Sequence, residues 1–202
     1  MRDGKSPSTE DSSRDMLPHP LEVFLLKKNN GISTYQLTID AMLAAMVALL
    51  GYISIDATVF KVTFESLPIF IGAFLLGPID GMLIGGIGTL IYQLLKYGFA
   101  YTTVLWMIPY ILAGLICGLI AKKSDFNLSK VKLIVVTLLT ELLISVLNTG
   151  VIYLDSKINH YYYAGIILGS LALRFGIAVA KGLIFGAILP YLLTAINKVK
   201  KN

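Results

Sequence analysis

The chain has 202 residues, 56% of them hydrophobic and 14% charged, with a net charge of +5 and a mean hydropathy of +0.76. A soluble domain carries roughly 25% charged residues, so a soluble globular fold is excluded. A β-barrel, with its alternating segments of about ten residues, does not fit either. The positive charge falls at membrane-flanking segments rather than in a nucleic-acid-binding patch.

Residues 1–30, opening MRDGKSPSTEDSSRDMLPHP, are polar and mixed in charge. They are expected to form a disordered tail, and they lack the apolar stretch of a signal peptide. Residues 31–202 read as one membrane domain of six transmembrane helices, at about 35–55, 63–77, 79–97, 103–121, 131–154 and 164–196. The second span is short and stops at Gly77-Pro78, and because proline is tolerated in a first helical turn, Pro78 opens the third across a very tight turn.

Lysine and arginine give the orientation. Twelve of the 17 fall in the N-terminal segment, the 122–132 loop and the C-terminus. Three (Lys61, Lys96 and Lys157) fall on the opposite side, and Arg174 and Lys181 lie inside the last span. The asymmetry predicts an all-α six-helix bundle with both termini cytoplasmic. Two of the outer loops carry aromatic clusters, YGFAYT (97–102) and HYYYAG (160–165), which suit either an interfacial belt or a lid over a site.

Glycines recur at a spacing of four: Gly77, Gly81 and Gly85, then Gly114 and Gly118, Gly165 and Gly169, Gly182 and Gly186. Such stripes let helix backbones approach closely in lipid. On the first span Ala41, Ala45 and Ala48 form a stripe of small residues, which either packs internally or offers a docking surface for another membrane protein.

Charges inside a span are costly and call for a reason. Glu141 and Lys181 fall at depths that allow a structural ion pair, with a role in coupling or in intramembrane catalysis as the alternatives. Asp40, near the inner end of span one, is expected to be solvated or paired at the interface. Toward the outer ends of the spans, Lys61, Glu65, Tyr92, Gln93, Lys96, Trp106, Tyr110, Asn148 and Arg174 gather from five helices. Jointly they predict an outward-facing pocket that stacks a planar ring and pairs with a carboxylate, Arg174 being the bidentate partner.

The stretch LPIFIGAFLLGPIDGMLIGGIGTL (67–90) resembles the second and third helices of the substrate-binding S components of energy-coupling factor (ECF) vitamin transporters. Pro68, Gly77, Pro78, Gly81 and Gly85 match that family's pattern. Ala41 and Ala45 match its Ala-x-x-x-Ala docking motif. LLISVLNTG (142–150) is similar to the fifth helix of the folate-type members, where an Asn-Thr pair recurs, and Arg174 stands where an arginine often appears in their sixth helix. Thr89 departs from the pattern, since many members carry an acidic residue there. The resemblance spans roughly residues 35–196.

It implies a multi-pass protein of a bacterial plasma membrane that binds a water-soluble vitamin with high affinity. A transmembrane coupling protein and two ATPase subunits would be its partners. Cationic Arg174, Lys61 and Lys96 suit an anionic ligand such as folate or pantothenate, and the Asn148-Thr149 match points to the folate-type branch, with cobalamin and riboflavin still open.

The chain itself shows no nucleotide-hydrolysis machinery: DGKSPS lacks the earlier glycine of a phosphate loop. It has two histidines and one cysteine, Cys117, so no metal site, cofactor or histidine-based catalysis is expected. The competing reading is a self-sufficient, ion-coupled secondary transporter of a small solute. Such folds often carry inverted repeats, and none is evident between 35–97 and 103–196.

Overall fold

The computed structural model describes residues 34–56, 61–160 and 169–199. The expected tail at 1–30, most of the 160–165 aromatic cluster, Gly165 and the side chain of Lys61 lie outside the described residues.

Helix α1 (Thr34–Tyr52) leads into a two-residue antiparallel hairpin, β1 (Ile55–Asp56) on β2 (Lys61–Val62), with Ile55 paired to Val62. Then follow α2 (Ser66–Leu75), α3 (Pro78–Tyr97), α4 (Thr103–Lys123), α5 (Lys130–Ile158) and α6 (Leu171–Val199). Five of these helices are long and apolar enough to cross a membrane. The exception, α2, has ten residues and is about 15 Å long, half of a roughly 30 Å hydrocarbon core.

That short helix is the centre of the bundle. Ser66, Pro68, Ile69, Phe70, Ile71, Gly72, Ala73 and Phe74 are all buried, against Val47 of α1, Ile84 of α3, and Ala113 and Cys117 of α4. Helices whose outer faces meet lipid show wide apolar exposure instead, as at Leu139 of α5 and Tyr191 of α6. The α2–α3 turn is as tight as the sequence predicts. Gly77 adopts φ 119°, a conformation that costs a side-chain-bearing residue energy, and Pro78 starts α3 immediately after it.

Three seams rest on glycine. A Cβ on Gly81 of α3 would stand 2.8 Å from the Gly114 carbonyl oxygen of α4. A Cβ on Gly88 of α3 would stand 2.5 Å from that of Val47 in α1. Gly182 and Gly186 of α6 lie against the Cα atoms of Leu138 and Ile134 on α5, at 2.7 and 2.8 Å from the ideal Cβ position. In lipid there is no water to drive helices together, so close backbone approach of this kind carries the packing. Gly169 makes no such contact among the described residues.

The helices alternate in direction, so the starts of α2, α4 and α6 share one end of the bundle with the ends of α1, α3 and α5. At the opposite end Gln36 Nε2 donates to Asp80 Oδ1 at 2.7 Å. Asp40, one turn after Gln36, is not solvated or paired as expected from sequence: it is 6% exposed, and neither carboxylate oxygen has a hydrogen-bond donor among the described residues.

Candidate functional site

A cavity of about 570 Å³ lies at the end of the bundle shared by the starts of α2, α4 and α6. Its walls are built from regular stripes. On α5, Glu141, Ile144, Ser145, Asn148, Ile152 and Asp155 follow the helical repeat and so share a face. On α6, Arg174, Ile177, Ala178 and Lys181 do the same. The end of α3 adds Tyr92, Gln93 and Tyr97, the start of α4 adds Trp106 and Tyr110, and Thr63 and Glu65 come from the segment entering α2.

Seven of the nine ligand-site residues expected from sequence line this one cavity: Glu65, Tyr92, Gln93, Trp106, Tyr110, Asn148 and Arg174. Lys96 is not among the lining residues. Its ammonium donates to Ser54 Oγ and stands 6.0 Å from the Tyr97 ring centroid. Lys61 belongs to β2, and its side chain lies outside the described residues.

Glu65 and Tyr110 organise one wall. The Tyr110 hydroxyl donates to Glu65 Oε1, which also accepts from Thr63 Oγ1 at 2.9 Å. Asn148 Nδ2 donates in turn to the Tyr110 hydroxyl at 3.5 Å. The chain Asn148–Tyr110–Glu65 thus crosses three helices or their approaches, and Asn148 Oδ1 and Glu65 Oε2 have no hydrogen-bond partner among the described residues. Tyr92 is 1% exposed, its ring edge-on to Tyr97 with centroids 6.0 Å apart. Gly51 makes room for it: a Cβ there would sit 2.8 Å from Tyr92 Cγ.

The floor holds the buried charge pair. Lys181 Nζ stands 3.1 Å from Glu141 Oε2, and Glu141 Oε1 accepts from Ser66 Oγ at the start of α2. The pair expected from sequence is therefore present, joined by a third helix. Arg174 lies nearer the mouth, where its Nε donates to Ser170 Oγ at 2.9 Å.

Sequence reasoning missed Thr63, Tyr97, Ser145, Asp155 and Asn159 as lining residues. Two carried a usable signal, because Asp155 and Asn159 continue the Asn148 face at i+7 and i+11. A fifth span ending at 154 leaves both outside it, whereas α5 runs to Ile158 with Asn159 as its C-cap.

The long apolar helices and their glycine seams define an all-α, multi-span membrane bundle. Residues 35–197 match the family model described as ECF transporter, substrate-specific component. The chain belongs to that family, so it is a membrane protein that serves a transporter by binding substrate rather than by catalysis. The fold is also similar to a solved structure described as the crystal structure of FolT bound with folic acid. The TM-score is 0.56 at 21% sequence identity, covering 77% of this chain and 93% of that one. No curated protein matches the sequence.

Proposed function

We propose that the chain is the high-affinity vitamin-binding subunit of an ECF-type uptake transporter, with folate or a close relative as its ligand. The observation that carries this reading is the cavity itself. Its volume of about 570 Å³ lies within the roughly 300–1,000 Å³ of small-molecule sites, and its lining of aromatic rings, amides and opposed charges suits a flat, polar, partly anionic molecule. The structural likeness to FolT, whose solved structure holds folic acid, supports the choice of vitamin.

In this reading Trp106, Tyr92 and Tyr110 supply faces and edges for a planar ring. Asn148, Gln93 and Glu65 supply amide and carboxylate partners, and Arg174 pairs with a carboxylate near the mouth. Glu65, Glu141 and Asp155 offset Arg174 and Lys181 around the cavity. An anionic ligand is therefore held by a local partner rather than by a uniformly positive bowl.

Residues 31–202 form a six-helix membrane domain with both termini cytoplasmic, residues 1–30 are a tail, and the cavity opens outward, a sidedness supported by the lysines at the opposite end of the bundle. Docking to a transmembrane coupling protein uses the outer face of α1, where Ala41 and Ala45 are exposed beside Met42 and Met46. Ala48 is turned inward at 6% exposure and supports that face from behind. Two partner ATPase subunits hydrolyse the ATP.

A thermal-shift screen of the purified chain against water-soluble vitamins tests the reading, because a ligand that binds only the folded state raises its apparent stability. Folic acid is expected to give the largest shift. A flat response across the whole vitamin set would overturn it.

A further inference from the structure

Arg174 and Lys181 are seven residues apart on one uninterrupted stretch of α6, so they share a face and stand about 10.5 Å apart along the axis. Both line the cavity, with Ile177 and Ala178 between them forming an apolar strip. The contacts of Gly182 with Leu138 and Gly186 with Ile134 fix the α5–α6 register. By that register Arg174 lies level with residues 146–148 of α5, and Lys181 lies near Glu141.

Lys181 has more donors than its ion pair uses. An ammonium carries three N–H groups. Glu141 Oε2 takes one at 3.1 Å, and the Phe185 ring centroid lies 5.6 Å away. Glu141 has its second oxygen held by Ser66, so the carboxylate is fixed and in turn fixes the ammonium. A pair with a purely structural purpose has no need to line a cavity. This one does, with Lys181 at 12% exposure and Glu141 at 2%.

We infer that Lys181 is a specificity-determining residue that donates a hydrogen bond to a ring carbonyl oxygen on the deep end of the ligand, and that Glu141 positions it. This rests on the reading of the cavity as the vitamin site. The substrate class that fits is elongated: a flat heterocycle with an acceptor on its inner edge, an apolar middle along Ile177 and Ala178, and a carboxylate reaching Arg174.

The probes are folic acid and aminopterin, which differ where an amino group replaces the ring carbonyl, turning an acceptor into a donor. Equilibrium binding of both is measured on the wild type, on K181R and on E141Q/K181M, a double variant that removes the charge pair without leaving a buried ion unpaired. The wild type and K181R are expected to favour folic acid at least tenfold. The double variant is expected to bind the two ligands within about threefold of each other. A wild type that binds both equally overturns the inference without any variant, and so does a double variant that keeps the wild-type ratio. If the wild type binds neither probe, the folate reading of the site fails as well, an outcome distinct from binding without discrimination.

Discussion

Tyr110 sits between two side chains that depend on it. Its hydroxyl donates to the 1%-exposed Glu65 and accepts from Asn148. In the Tyr110→Phe variant Glu65 Oε1 keeps only Thr63 as a donor, and Asn148 Nδ2 loses an acceptor. Leaving buried polar groups short of partners costs about 1–3 kcal/mol, so a lower melting temperature without ligand and roughly tenfold weaker folic acid binding are expected. An unchanged affinity would show that the Asn148–Tyr110–Glu65 chain does not shape the ligand wall. At this scale the sequence was informative where a polar side chain sits on a helix facing inward, as Asn148 and Arg174 do. It was less so for Lys96, whose long flexible stem carries the ammonium away to Ser54, a direction that helical spacing does not encode.

Helices were legible from apolar runs and from the punctuation around them. Pro78 and Gly77 placed the start of α3, whereas the cap of α5, Ser129, whose hydroxyl accepts from the Lys132 N–H, was not read from the sequence. The β1–β2 hairpin was not legible, since two residues per strand are too few to show a period of two. The end of α5 was misplaced because Asp155 and Lys157 look like loop residues, although Asp155 faces a polar cavity where a charge is tolerated.

The glycine seams give a test at this level. Gly114→Leu drives a side chain into the α3 backbone at Gly81, where no flexible side chain can yield. Overpacking of this kind costs about 1–3 kcal/mol or more, so a marked loss of thermal stability in detergent is expected. Gly176→Leu, at a position with nothing within 4 Å among the described residues, is expected to change it little. The outer face of α1 separates docking from binding: Ala45→Trp is expected to abolish co-purification with the coupling protein while leaving folic acid affinity within about twofold. Loss of both together would place Ala45 in the binding machinery instead.

For the whole molecule, the α2 core, the glycine seams and the end-on cavity combine into a receptor that holds a ligand without an energy source of its own. Its sidedness is open to a direct check. Cysteine introduced at Tyr101, 96% exposed beside the cavity mouth, is expected to react with a membrane-impermeant thiol reagent in intact cells. Cysteine at Asp125, in the opposite turn, is expected to react only after the cells are opened. The native Cys117 is 0% exposed and contributes no background.

The central claim is tested most directly by the stoichiometry of labelled folic acid bound to the purified chain alone, with no nucleotide and no partner subunit present. The account predicts saturable binding of one ligand per chain. Failure to retain folic acid or any other water-soluble vitamin, together with solute uptake by vesicles containing only this chain under an ion gradient, would contradict it.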